Sequence, residues 1–165
     1  MRRAICPGSF DPVTMGHLNI IRRASAMFDE VIVCVMVNSA KSGLFTPEER
    51  VELLRKSTEG IPNVKVDMAT GLVADYAREK DAWVLVKGLR AVSDYEAERQ
   101  MAMINNKLNH RLDTVFLYTK PKYAYLSSTI VKEMARYGVD LTGLVPRQIV
   151  DDVQKRMQES LREKE

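Results

Sequence analysis

The chain has 165 residues, 45% of them hydrophobic and 28% charged. That is enough apolar material for one globular domain with its own core, and no disulfide staple is needed to hold it. A net charge of +3 is too weak a field to argue for nucleic acid, and no stretch approaches the roughly 20 apolar residues of a membrane span.

Taken in chain order, short β-branched runs alternate with amphipathic stretches, the pattern of a parallel sheet wrapped by helices. Residues 3–6 read as a first strand, stopped by Pro7 and Gly8. A helix follows in which Leu18, Ile20, Ile21, Ala24, Met27 and Phe28 recur at helical spacing. Residues 31–37 are apolar on both faces, as a central parallel strand must be. Thr46, Pro47 and Glu49 then spell a helix start, with Thr46 as the cap, Pro47 in the first turn and Glu49 closing a capping box. Residues 63–66 predict a short third strand, 71–80 a third helix and 83–86 a fourth strand ending at Lys87 and Gly88. Ser93 and Glu96 suggest a second capping box, opening a helix that runs to about residue 109 with Ala97, Met101, Ile104 and Leu108 on one stripe. A fifth strand at 114–118, a loop from Lys120, a helix at 127–136 closed by Gly138, and a last helix from Pro146 striped with Ile149, Val150, Val153, Met157 and Leu161 complete the chain. The predicted fold is a single α/β domain over residues 1–165, a doubly wound five-stranded parallel sheet with helices on both faces, right-handed crossovers and a C-terminal helix.

Cys6 and Cys34 both lie inside apolar runs, and with only two histidines available they read as unpaired core thiols, not a disulfide or a metal pair. A reducing, cytoplasmic setting is the expectation. Three signatures are missing: a Gly-rich phosphate loop ending in Gly-Lys-Ser/Thr, a three-glycine dinucleotide fingerprint, and His-Glu-x-x-His. Any phosphate must be held by helix ends and side chains.

In a doubly wound sheet, ligands sit beyond the carboxyl ends of the strands, so side chains that follow strand ends are the candidates. Residues 7–17 leave the first strand through a Gly-, Pro- and Asp-rich turn and place His17 in the first helical turn. Unpaired amides and a partial positive charge make that position receptive to phosphate, and Gly16 removes a Cβ where the anion would approach. The plainer alternative is that His17 only caps its helix. Lys41 follows the second strand and Lys87, Gly88, Leu89 and Arg90 follow the fourth, so cations converge on the rim that holds His17. Taken singly, Lys41 is more often a solvated loop charge, and Arg90 is as easily a salt-bridge partner for Asp94 or Glu96. Ser127, Ser128 and Thr129 open a second anion-receptive helix start, where capping alone needs one hydroxyl.

The segment Gly8-Ser9-Phe10-Asp11-Pro12 with Thr14-Met15-Gly16-His17, together with Ser127-Ser128-Thr129, resembles the nucleotidyltransferase superfamily that carries an H/T-x-G-H motif, and within it most closely the phosphopantetheine adenylyltransferase family. The resemblance extends over nearly the whole chain, through residues 45–50 and through Gly88-Leu89-Arg90-Ala91 with Asp94 and Glu98. It implies Rossmann-like subunits in a homohexamer, the substrates ATP and 4′-phosphopantetheine, magnesium as cofactor, and dephospho-coenzyme A and pyrophosphate as products, the penultimate step of coenzyme A synthesis. It further implies that Ser9 touches both substrates, Phe10 helps hold ATP and His17 stabilises the transition state. Lys41, Val73 and Lys87 fall at positions of the pantetheine substrate. Gly88, Leu89, Arg90, Glu98, Tyr123, Ala124, Tyr125, Leu126, Ser127, Ser128 and Thr129 fall at positions of ATP. No residue is assigned to the metal. At Lys87 the family more usually has arginine, so charge is kept while the bidentate fork is lost.

Other readings of the motif are a cytidylyltransferase, a nicotinamide-nucleotide adenylyltransferase, a nucleotide-sensing module without turnover, and, ranked last, a fragment of a class I aminoacyl-tRNA synthetase.

Overall fold

The computed structural model describes residues 1–38, 40 and 42–163. Five parallel strands, β1 (Arg3–Gly8), β2 (Glu30–Val37), β3 (Val64–Thr70), β4 (Val84–Leu89) and β5 (Asp113–Tyr118), form one sheet in the order β3-β2-β1-β4-β5. The chain first builds outward through β2 to β3, then returns to place β4 on the other side of β1. The strand order therefore reverses between β1 and β4, and the carboxyl ends of these two strands flank the crevice in which such sheets bind ligands.

Alternation along the strands sorts the core into two layers. Ala4, Cys6, Val31, Val33, Val35 and Val86 face helices α1 (Met15–Met27), α2 (Pro47–Thr58), α5 (Ser128–Arg136) and α6 (Val150–Arg162). Ile5, Ile32, Cys34 and Leu85 face the opposite layer, where α3 (Val73–Glu79) contributes Ala74, Tyr76 and Ala77. Helices α1 and α2 lie on one face and α3 on the other, as right-handed crossovers running outward in opposite directions require. The Thr46 capping box forms as read: the Thr46 side chain accepts from the Glu49 amide, and the Glu49 carboxylate accepts from the Thr46 amide at 2.7 Å. Cys6 and Cys34 are buried and unpaired, and burial pushes their thiols up to about 12 and about 11. No helix among the described residues is long and apolar enough to cross a membrane.

Three local expectations need correction. The third strand runs to Thr70, well past residue 66, because it is an edge strand: Lys65 and Asp67 alternate with apolar residues, and Asp67 is taken up by Tyr76 Oη at 2.8 Å and Lys80 Nζ at 2.7 Å. Ser93 and Glu96 form no capping box. Helix α4 (Val92–Leu108) starts earlier, at an Ala91 cap with no side-chain hydrogen bond, and Asp94 instead accepts from the Arg90 amide at 2.9 Å. On the α4 stripe Met101, Ile104 and Leu108 are about half exposed, and Asn105 is the buried residue of this helix. The last helix proper begins at Val150, after a single 3₁₀ turn over Arg147–Ile149.

Candidate active site

A cavity of about 550 Å³ opens at the carboxyl ends of β1 and β4, floored by Cys6, Gly8, Val86 and Gly88 and walled by the first turn of α1. A second, of about 270 Å³, adjoins it on the α3–α4 side and shares Pro7, Gly8, Ser9, Lys87 and Glu98 with it.

His17 stands where α1 meets the larger cavity. Thr14 caps the helix, and His17 is its third residue, the place a glutamate or glutamine takes in an ordinary capping box. The Thr14 amide donates to His17 Nδ1 at 3.0 Å, and the His17 amide donates back to Thr14 Oγ1 at 3.3 Å. An amide N–H can only donate, so Nδ1 is unprotonated and the neutral ring carries its proton on Nε2. The capping reading of His17 thus holds, and it engages Nδ1 alone of the two ring nitrogens. Phe10 packs edge-on against the imidazole, centroids 5.1 Å apart. Burial, then the charges of Arg90 and Lys87, lower the His17 pKa to about 4. At neutral pH the residue is an uncharged Nε2–H donor, preset to stabilise charge that builds on an oxygen.

This pKa has a consequence for stability. The folded-state value lies below the ordinary 6.5, so the unfolded chain binds the proton first and stability is lost as pH falls. The contribution is complete above about pH 6.5 and declines by roughly 2 kcal/mol toward pH 4, allowing for solvent at the cavity mouth. A ¹³C/¹⁵N titration of the free protein should show His17 as the Nε2–H tautomer through neutral pH, protonating near pH 4. An imidazolium at pH 7 would overturn the assignment.

Two of the expected cations, Lys87 and Arg90, line the larger cavity with His17. Lys87 Nζ lies 3.2 Å from Glu98, and Arg90 pairs with Asp94 at 3.1 Å while donating through Nη1 to the Leu126 carbonyl at 3.0 Å. Arg90 is therefore both a salt-bridge partner and a cavity residue. The three hydroxyls divide their work: Ser127 caps α5, accepting from the Ile130 amide at 3.1 Å; Ser128 donates to the Pro12 carbonyl at 2.8 Å; Thr129 is exposed. Gly16 lines the cavity, and a Cβ there would come no closer than 3.4 Å to Thr14, so the protein's own packing does not demand glycine. The open space belongs to whatever the cavity holds.

Of the residues singled out in the sequence, Ser9, Phe10, His17, Lys87, Gly88, Arg90, Glu98, Leu126, Ser127 and Ser128 line the larger cavity. Val73 lies in the smaller one with Ser9, Lys87 and Glu98. Leu89 is buried behind the wall; Tyr123 and Ala124 are half-buried beside it, and Tyr125 and Thr129 are exposed, all outside the lining. Lys41 lies outside the described residues. The structure adds residues that sequence reasoning passed over. Thr14, Ser93, Asp94 and Thr119 line the larger cavity; Asn38, Met101 and Asn105 line the smaller. Thr14 was in plain view within the motif, whereas nothing local marks Asn105, an amide near the end of α4.

The sequence matches the cytidylyltransferase-like family over residues 5–134. It is 56% identical to a phosphopantetheine adenylyltransferase of Clostridium novyi (strain NT) over 153 residues, which is 93% of this chain and 95% of that one. With a phosphopantetheine adenylyltransferase of Caldanaerobacter subterraneus subsp. tengcongensis it shares 50% over 160 residues, 97% of this chain and 100% of the other. Among solved structures, one from Vibrio parahaemolyticus, provisionally assigned as a nicotinate-nucleotide adenylyltransferase, superimposes with a TM-score of 0.68 over 94% of this chain and 96% of that chain. At 16% identity that likeness concerns the fold.

Proposed function

The chain belongs to the cytidylyltransferase-like family and, within it, to the phosphopantetheine adenylyltransferases, and from that premise we propose how its site moves an adenylyl group from ATP to 4′-phosphopantetheine. The products are dephospho-coenzyme A and pyrophosphate. The observation that carries the reading is the neutral His17 Nε2–H donor at a helix N-terminus, facing a cavity whose other walls hold Lys87, Arg90 and the α5 start.

ATP takes the larger cavity, its phosphates between the first turn of α1 and the Ser127–Ser128 start of α5. Phosphopantetheine takes the smaller one, with Val73 along its arm and Lys87 at the shared wall turned to its phosphate. The acceptor phosphate has a second pKa of about 6 and arrives largely dianionic, so no base is needed to make it a nucleophile. One of its oxygens attacks the α-phosphorus of ATP in line, and the bond from that phosphorus to the β-phosphate bridging oxygen breaks as pyrophosphate leaves. His17 Nε2–H and the α1 amides hold the charge that builds on the phosphoryl oxygens. Cys6, the thiol on the cavity floor, is held protonated by burial and supplies no covalent route.

Magnesium belongs to this proposal. It takes substrate phosphates and one or two carboxylates as ligands and keeps several waters. The carboxylates lining the cavity among the described residues, Asp94 and Glu98, are paired with Arg90 and Lys87, so the ion would be held by the substrate phosphates and its own waters, with Asp94 the carboxylate to reach that water shell. When bound it neutralises charge on the pyrophosphate oxygens. A homohexamer is likewise proposed, supported by the apolar surface that α4 leaves open at Val92, Met101, Met103, Ile104 and Leu108. Light scattering should return a mass six times that of the chain. A cytoplasmic location completes the reading.

The direct test is pyrophosphate release from ATP with and without 4′-phosphopantetheine, with nicotinamide mononucleotide as a competing acceptor. Release that depends on phosphopantetheine is expected. Tight ATP binding with no release would favour a nucleotide-sensing module.

A further inference from the structure

Phe10 holds a left-handed backbone, φ +49°, which a bulky side chain adopts only when its surroundings impose it. The next residue supplies the restraint. Asp11 is buried, and its two carboxylate oxygens accept from the Leu44 amide at 3.0 Å and the Phe45 amide at 2.9 Å. Two cations flank it, Arg50 Nε at 3.4 Å and Lys132 Nζ at 3.2 Å. Arg50 also donates to the Phe45 carbonyl at 2.9 Å and to the Ser9 carbonyl at 3.5 Å. One carboxylate thereby ties the turn after β1 to the loop before α2 and to α5. The space is closed: a Cβ on Gly43 would lie 1.9 Å from Arg50 Nη2 and 2.8 Å from Asp11 Oδ2.

Asp11 is not among the residues that line either cavity, yet it adjoins two residues of the site, Ser9 and Phe10, and Phe10 packs against His17. We infer that Asp11, clamped between Arg50 and Lys132, is a positioning residue for adenylyl transfer: it holds the strained Phe10 in place, and through Phe10 sets the His17 ring. The inference rests on the adenylyl-transfer reading. A buried carboxylate shared by two cations suits this role, because losing one partner leaves charge uncompensated inside the fold and the turn must relax. A displacement of the donor by about 1 Å costs on the order of 100-fold in rate.

The test uses Asp11→Asn, Lys132→Gln and Lys132→Arg in the full chain. Each is read by kcat, by KM for both substrates, and by the His17 imidazole resonances of the free protein. Asp11→Asn should lower kcat roughly 30- to 100-fold with KM within about three-fold, and should shift the His17 resonances as the Phe10 ring moves. Lys132→Gln, at a partly exposed site that folding tolerates, should lower kcat about 3- to 10-fold, and Lys132→Arg should restore it to within about two-fold. If Asp11→Asn fails to fold, Lys132→Gln decides. A folded Lys132→Gln protein with unchanged kcat and unmoved His17 resonances overturns the inference. So does loss of activity in Asp11→Asn that merely tracks the unfolded fraction. If the unsubstituted protein releases no pyrophosphate, the adenylyl-transfer reading fails, while the resonances still report whether Asp11 sets His17.

Discussion

His17→Ala is expected to lower kcat by roughly 100-fold or more while KM for ATP and phosphopantetheine stays within about three-fold. Steady-state pyrophosphate release measures both. The split follows from what Nε2–H meets: little in the ground state, and the growing negative charge of the transferring phosphoryl group in the transition state. The same substitution also removes the third member of the α1 capping box and so costs about 1 kcal/mol of stability. His17→Gln separates the two effects. Glutamine at this helix position is an ordinary capping-box partner and can accept from the Thr14 amide through Oε1 in place of Nδ1, but its remaining donor is a neutral NH2 group on a rotating arm, without the ring that Phe10 holds edge-on. Stability should return in His17→Gln and kcat should not. Recovery of kcat with the cap would mean that the fixed imidazole donor is not required, and loss of ATP binding with kcat preserved in His17→Ala would make His17 a ground-state contact.

What was legible in the sequence and what was not divides along the range of the interactions involved. The Thr46 and Glu49 capping box, three residues apart, formed as read. So did the gathering of strand-end residues: Ser9 just after β1, Lys87 and Gly88 near the end of β4, and Arg90 just after it share one cavity because the strand order reverses between those two strands. The stripe on α4 forms at the helical spacing read for it, yet Met101, Ile104 and Leu108 are about half exposed. Periodicity reports that a face is apolar, not what it packs against. The Asp11 clamp was out of reach for a different reason. Leu44 lies 33 residues from Asp11 and Lys132 lies 121 residues away, and nothing local marks an Asp-Pro turn as the meeting place of two cations.

Lys87 is paired, and that pairing leads to the second large effect. Its Nζ sits 3.2 Å from Glu98, and both side chains line both cavities. Lys87→Met should lower kcat/KM for phosphopantetheine about 100-fold, more than loss of one phosphate contact explains, because it leaves the Glu98 carboxylate unpaired at a wall where two polyanionic substrates converge. Glu98→Gln alone frees the ammonium for the phosphate and should change kcat/KM by no more than about three-fold. The double variant Lys87→Met/Glu98→Gln should therefore be about ten times better than Lys87→Met, a coupling near 1.4 kcal/mol. Lys87→Arg should retain activity, since a guanidinium can keep Glu98 and still fork toward phosphate. Strict additivity in the cycle would mean that Glu98 does not act on the substrates through its charge, and that the loss in Lys87→Met belongs to the missing phosphate contact alone. Non-additivity in the expected direction would give the shared wall a specific role. Glu98 would balance the Lys87 charge until the acceptor phosphate arrives, so that two polyanions can be brought together without a permanent excess of positive charge between them.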